Sequence, residues 1–218
     1  MTIDKSSTVD IDVKSPQTPI ARLILAHGAG AGKEHPFMQE MASHLVAGGI
    51  EVVLFNFPYM QQMKETGKRR PPDKADKLLA HFAEVITHTT ENIHSSLPTF
   101  VGGKSMGGRM ASMLYQEHDE IQGAMVFGYP FHPPGKPEKT RIAHMPTLTK
   151  PMLIIQGERD TFGTEQEVLN YTLPASIDCV FLADGDHSFK PRKASGKTQH
   201  EHMVYAAKLC VDFISRLI

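Results

Sequence analysis

The chain has 218 residues, of which 40% are hydrophobic and 22% are charged. This composition excludes a wholly disordered chain, and the length favours a single domain over residues 1–218. Lysine and arginine (23) nearly balance aspartate and glutamate (24), for a net charge of −1, so we expect neither nucleic acid nor a membrane as a partner.

The first 15 residues have no apolar segment behind a basic start. No stretch approaches the roughly 18 consecutive apolar residues of a membrane span. These features predict a soluble, cytoplasmic protein.

Short apolar segments alternate with longer segments of helical periodicity, which is typical of an α/β fold. Residues 1–20 are expected to hold an edge strand or a partly ordered N-terminal segment, because VDIDV at 9–13 alternates polar and apolar residues. The inner strands are predicted at Arg22–Ala26, Glu51–Phe55, Thr99–Gly102, Gly123–Phe127, Met152–Ile155 and Asp178–Leu182. Helices are predicted at Phe37–Val46, Ala75–Ile93 and Glu201–Leu217, with shorter ones after Ser105 and after Gly163.

The inner strands are apolar almost throughout, as parallel strands covered on both faces are. We therefore predict a mainly parallel, doubly wound sheet of about six to eight strands. Segments 58–74, 129–150 and 188–200 are rich in proline, glycine and charge, and each follows a strand. They are predicted to be loops at the carboxyl edge of the sheet, where ligands bind. The segment after Phe127 is short and proline-rich, which predicts the absence of a large cap.

The sharpest local motif is GKSMGG at 103–108, which fits Gly-x-Ser-x-Gly. It directly follows a strand and precedes a helix, the setting in which a strained turn projects a nucleophilic serine. This context predicts Ser105 as the nucleophile. The amide of Met106, at the start of the helix, is then free to stabilise an oxyanion.

A second glycine-rich segment, HGAGAG at 27–32, also joins a strand to a helix. A dinucleotide-binding loop is the alternative interpretation, but its third glycine falls on Lys33. The segment suits an oxyanion loop better, with the amide of Ala29 as the second donor. His27 is expected to be structural rather than a base.

Two further strands end in candidate members of a catalytic triad. Asp160 follows one strand and His187 follows the next, so the chain order is serine, aspartate, histidine. Three rival acids are close in sequence, namely Glu158, Asp184 and Asp186. Asp186 adjoins His187 too closely to face its ring easily, and Glu158 lies nearer its strand than the usual acid position.

These motifs together resemble the α/β-hydrolase superfamily, and the match extends from Arg22 to the last helix. YPFHPPG at 129–135, RRPPD at 69–73 and GERDTFG at 157–163 resemble a small branch related to dienelactone hydrolases, which includes a testis-expressed protein and a subunit of a chromatin-modifying complex. The resemblance implies a three-layer α/β-hydrolase fold, a Ser-His-Asp triad and no cofactor. Dienelactone hydrolases carry cysteine where Ser105 stands, so the resemblance does not extend to their reaction.

The predicted substrate is a small molecule, namely a small ester or thioester. The sequence leaves two hypotheses about the charge of this substrate. Segments 64–70, 136–150 and 190–197 contain twelve lysines and arginines against Glu65 and Glu138, which favours an anionic substrate held by Arg69, Arg70 and Arg141. The competing hypothesis is a neutral ester in a pocket formed by Tyr59, Phe131 and Phe162.

A non-catalytic binding or scaffold module on the same fold is the alternative to an enzyme, since fold alone does not decide function.

His200 and His202 suggest a metal site, but the two side chains of a His-x-His pair on a helix point to different faces, so no metal is expected. The oligomeric state is left open.

Overall fold

The computed structural model describes residues 9–93 and 96–218. It contains one seven-stranded sheet with the strand order β1-β3-β2-β4-β5-β6-β7. The strands are β1 (Ile11–Lys14), β2 (Ala21–Ala26), β3 (Ile50–Phe55), β4 (Thr99–Lys104), β5 (Ile121–Phe127), β6 (Met152–Gly157) and β7 (Ile177–Leu182). Strand β1 pairs antiparallel with β3, and all other neighbours are parallel. The predicted mainly parallel sheet is therefore confirmed.

Helices cover both faces of this sheet. They are α1 (Pro36–Ala47), α2 (Pro58–Thr66), α3 (Ala75–Asn92), α4 (Met106–Leu114), α5 (Glu165–Val168) and α6 (Gln199–Ser215). Side chains alternate along each strand, so Leu23 and Leu25 pack on the face of α1 and α6, whereas Ile24 packs on the face of α3 and α4. Two apolar cores thus sandwich the sheet, as the predicted three-layer architecture requires.

The prediction of a loop over residues 58–74 is wrong for its first part, because Pro58–Thr66 form helix α2. Pro58 occupies its first turn, where a fixed φ and a missing N–H cost nothing, and Gly67 ends it in the left-handed conformation. Only Tyr59 and Met60 of this helix are buried. Its apolar face is too short to produce a clear helical period in the sequence.

The N-terminal edge strand is found at Ile11–Lys14, slightly later than the predicted 9–13, and residues 1–8 lie outside the described chain. Between β5 and β6 the structure has a single 3₁₀ turn, Met145–Thr147, so that connection holds no cap. Among the described residues, no helix is both long and apolar enough to cross a bilayer.

The position of β2 fixes where a ligand can bind. Strand β2 lies between β3 and β4. The chain therefore passes from β2 to its neighbour β3 on one side, and from β3 to β4 on the other side of β2. The carboxyl ends of β2 and β4 therefore flank a crevice at this switch point. The segment at 27–32 follows β2 and Ser105 follows β4, which brings the two glycine-rich motifs together.

Candidate active site

Ser105 occupies a sharp turn between β4 and α4. Its φ is 53° and its ψ is −114°, a left-handed backbone that a serine rarely adopts. The turn is tight because a Cβ on Gly103 would lie 2.5 Å from the carbonyl carbon of Gly107. A Cβ on Gly107 would lie 2.5 Å from the carbonyl oxygen of His27. Glycine at both positions therefore lets the strand, the helix and the loop after β2 approach closely.

The imidazole of His187 lies between Ser105 and Asp160. Its Nε2 is 2.9 Å from the Ser105 Oγ, and its Nδ1 is 2.7 Å from the Asp160 Oδ2. The ring of Phe162 packs on the imidazole with 4.3 Å between the ring centroids. Three residues from three different strand ends thus form one continuous hydrogen-bonded chain.

The carboxylate of Asp160 is fully buried and held by donors on both oxygens. The amide of Phe162 donates to its Oδ1 at 2.8 Å, and the Gln156 Nε2 donates to its Oδ2 at 3.0 Å. Gln156 is itself fixed because its Oε1 accepts a 2.7 Å hydrogen bond from the amide of Tyr129. These bonds orient the carboxylate toward His187.

The rival acids are engaged elsewhere. Asp184 pairs with Arg192 and Arg159, and these partners hold the pKa of its carboxyl below the usual range. The Asp186 Oδ1 accepts hydrogen bonds from the amides of Ser188 and Lys190, which closes the turn after His187. The Glu158 Oε2 accepts from the amide of Asp184. All three carboxylates stabilise the loop around His187 rather than contact its ring.

Hydrogen bonds of the His27 ring and of the Tyr59 hydroxyl hold the loop after β2 in place. His27 Nδ1 lies 2.7 Å from the Gly28 carbonyl oxygen, and its Nε2 accepts a hydrogen bond from the amide of Phe57. Burial lowers the pKa of His27 to about 4, so it is neutral near pH 7. The Tyr59 hydroxyl donates to the Ala29 carbonyl at 3.0 Å. Within the described chain the amides of Ala29 and Met106 donate no hydrogen bond, so both are free for a ligand.

A cavity of about 430 Å³ opens beside Ser105. Residues 28–31 of the loop after β2 form one wall, and His35, Phe37 and Met38 of the α1 region form another. The remaining lining residues are Lys104, Ser105, Phe162, His187 and Ser188. A cavity of this size suits a small organic ligand.

Comparison with known proteins assigns this architecture to a family. Residues 19–215 match the model of the alpha/beta hydrolase domain. The chain belongs to the α/β-hydrolase family. A dienelactone hydrolase from Anabaena variabilis has a similar structure, with a TM-score of 0.73 at 19% identity over 95% of this chain and 91% of that one.

Two further solved structures share the hydrolase fold. A serine hydrolase homologue from Coxiella burnetii gives a TM-score of 0.71 at 16% identity, over 93% of this chain and 89% of that chain. A serine hydrolase without a lid from Xanthomonas campestris gives 0.67 at 19% identity, over 92% and 88%. The predicted α/β-hydrolase fold is thus confirmed.

The predicted substrate contacts need correction in this hydrolase. Of the six predicted residues only Phe162 lines the cavity; the other five are Tyr59, Arg69, Arg70, Phe131 and Arg141. Tyr59 and Phe131 are fully buried, because one supports the Ala29 loop and the other packs against Tyr129.

The basic segments do not form one free cationic rim in the hydrolase. Lys64 pairs with Glu34, and Arg70 pairs with Asp73. Arg69 is exposed on the segment after α2. Lys150 precedes β6 and donates to the His118 carbonyl, so it lies at the amino edge of the sheet, away from the crevice. Counting charges along the sequence overlooked the ion pairs of Lys64 and Arg70 and the position of Lys150 at the other edge of the sheet.

Sequence reasoning missed Gln156 and Lys104 in the hydrolase. Both are polar residues near the carboxyl end of an otherwise apolar, buried strand. Burying such a polar side chain costs free energy unless it has a hydrogen-bond partner or serves the function. A polar residue in a strand predicted to be buried is therefore the sequence signal that could have identified Gln156 and Lys104.

The histidines of α6 do not converge on one ion. His202 is buried and bonds the Phe189 carbonyl through Nδ1. His200 lies instead beside Glu40 and His44 of α1, with the ligand atoms of the three within 4.8 Å of one another. None of these three residues lines the cavity beside Ser105.

Proposed function

We propose that this hydrolase is a serine esterase that cleaves a small ester or thioester through an acyl-enzyme. The observation that carries the proposal is the position of the His187 ring, within hydrogen-bonding distance of both the Ser105 Oγ and the Asp160 Oδ2. This arrangement supports the proposal, because acyl transfer needs a nucleophile, a base and an orienting acid in this relation. We also propose that the chain belongs to the small branch related to dienelactone hydrolases.

In the first half-reaction the Ser105 Oγ attacks the acyl carbonyl while the His187 Nε2 takes the hydroxyl proton. Asp160 keeps the other ring nitrogen protonated and stabilises the imidazolium. The amides of Ala29 and Met106 donate to the developing oxyanion, each contributing on the order of 3 kcal/mol to the transition state. Collapse of the intermediate expels the alcohol or thiol, which takes the proton from His187.

In the second half-reaction water attacks the acyl group on Ser105. His187 again removes a proton at Nε2 and returns it to the Ser105 Oγ as the acid leaves. The cavity beside Ser105 opens to solvent, so water can reach the carbonyl carbon of the acyl group. The packing of Phe162 on the imidazole restricts the ring to the plane that reaches both partners.

A fluorophosphonate probe tests the proposal. The wild-type protein is expected to be labelled and Ser105→Ala is not, whereas Ser112→Ala, on the same helix but bonded to His144, keeps the label. Asp160→Asn lowers kcat for p-nitrophenyl acetate on the order of 10⁴-fold, because the amide stabilises the wrong imidazole tautomer.

Equal labelling of the wild type and Ser105→Ala would contradict the proposed nucleophile. Folded wild-type protein that neither takes the probe nor cleaves the ester favours the alternative, a non-catalytic binding or scaffold module.

A further inference from the structure

Lys104 is the only lysine or arginine among the described residues that line the cavity. Lys104 is the last residue of β4 and directly precedes Ser105, and only 8% of it is exposed. The other lining residues are apolar, small or neutral, apart from His35 and His187. A cation is therefore built into the cavity beside the reacting serine.

The ammonium group of Lys104 is only partly satisfied. Its Nζ donates to the His187 carbonyl at 2.5 Å and lies 5.4 Å from the centre of the Phe37 ring. No carboxylate of the described residues lies within salt-bridge distance of it. An ammonium group has three N–H donors, so two of them have no acceptor among the described residues.

Packing alone does not explain a lysine at this position. Its methylene groups pass Gly28, and its Nζ lies 6.0 Å from the centre of the Phe189 ring, a setting that suits methionine. Burying an ammonium without a carboxylate in contact costs several kcal/mol. Burial lowers the pKa of Lys104 to about 8, and the more distant Asp160 and Asp186 oppose that shift. A destabilising charge kept beside a nucleophile indicates a role in function.

We propose that the ammonium group of Lys104 binds a carboxylate of the substrate, so that the enzyme prefers esters or thioesters carrying one negative charge. This inference rests on the proposed serine esterase. Two free N–H groups match the two oxygens of one carboxylate. A phosphate dianion fits less well, because none of the other described residues that line the cavity is a lysine or an arginine. The bond to the His187 carbonyl keeps the ammonium next to the reacting centre.

Matched substrates test the proposal. The p-nitrophenyl monoester of adipic acid and p-nitrophenyl hexanoate differ only by a terminal carboxylate in place of a methyl group. In Lys104→Met, the ratio of kcat/KM for adipate over hexanoate is expected to fall roughly 10- to 100-fold, the size of one charged hydrogen bond. Lys104→Arg should recover part of the ratio. The control is Lys190→Met, which removes an exposed lysine near His187 and should keep the wild-type ratio.

A purely structural role for Lys104 makes a different prediction. If its only task is to hold the His187 carbonyl, Lys104→Met lowers kcat for both esters by the same factor, and the ratio stays constant. That result would overturn the proposal.

Binding of free adipate to the wild type gives a readout that needs neither a variant nor turnover. Calorimetry should show adipate binding more tightly than adipamide, and adipate should slow labelling of Ser105 more strongly. Equal binding of the two compounds would overturn the carboxylate site. If adipate binds preferentially but the probe never labels Ser105, the esterase fails while the carboxylate site stands.

Discussion

Gln156 shows how one buried polar residue controls the geometry of the site. It lies in β6, between apolar neighbours, and its side-chain amide is bonded to the Asp160 carboxylate and to the amide and carbonyl of Tyr129. It thereby couples the ends of β5 and β6. Asp160 is oriented as much by this amide as by its own loop.

Gln156→Leu is expected to lower both stability and turnover. It leaves the buried amide of Tyr129 without a partner, which costs about 1–3 kcal/mol of the free energy of unfolding. It also frees the Asp160 carboxylate to rotate, and kcat should fall roughly 10- to 100-fold with little change in KM, because misplacement affects the chemical step. Urea denaturation and ester kinetics measure the two effects.

Gln122→Leu is the matched control, since Gln122 is exposed on the neighbouring strand β5. It should leave both quantities near the wild-type values. A Gln156→Leu protein with wild-type kcat would show that Asp160 does not depend on the amide.

Helix α2 supports the loop after β2, which we propose to supply an oxyanion donor. Pro58 starts the helix directly after β3, and its first turn places Tyr59 beneath the loop that follows β2. The hydroxyl of Tyr59 lies 3.0 Å from the Ala29 carbonyl oxygen and 3.3 Å from the Gly28 carbonyl oxygen. The Gly28 carbonyl belongs to the same peptide as the Ala29 N–H, so this contact fixes the direction of that N–H. One hydroxyl group of the helix thus holds two carbonyls of the loop.

Tyr59→Phe removes this contact while keeping the ring. We expect kcat to fall by about 3- to 10-fold with KM nearly unchanged, because a looser Ala29 amide weakens a contact made chiefly in the transition state. Stability should fall by about 1 kcal/mol, the usual value of one hydrogen bond.

The control is Tyr115→Phe. Tyr115 is equally buried and donates to the Lys150 carbonyl at 2.8 Å, at the amino edge of the sheet. It should lose similar stability and keep kcat. If both variants show the same kcat, the loop does not need the Tyr59 hydroxyl.

At the scale of the whole molecule, stability comes from the two apolar cores on either side of the sheet. Leu45 of α1 is fully buried in the core between the sheet and α1 and α6, whereas Leu169 is 70% exposed just after α5. Leu45→Ala should cost about 2–5 kcal/mol by loss of burial and creation of a cavity. Leu169→Ala should stay within about 0.5 kcal/mol of the wild type. Thermal unfolding compares the two, and equal costs would contradict the assignment of this core.

The alternation of strands and helices and the chemistry of the motifs could be predicted from the amino-acid sequence. Apolar runs such as LILA before HGAGAG, and the glycines around Ser105, are local patterns with a local physical cause: burial on both faces and a tight turn. Because parallel strands end at one edge, the sequence also predicted that Ser105, Asp160 and His187 would share that edge.

Which side chains reach the cavity could not be predicted from the sequence and follows from the folded chain. Tyr59 and Phe131 are aromatic residues of the kind that line substrate pockets, yet both point into the core. Lys104, in contrast, lines the cavity although its strand looks purely structural in the sequence. Side-chain direction depends on the strand order, which places β2 beside both β3 and β4, and on packing between segments far apart in the chain. Those contacts are non-local, so no pattern along the sequence encodes them individually.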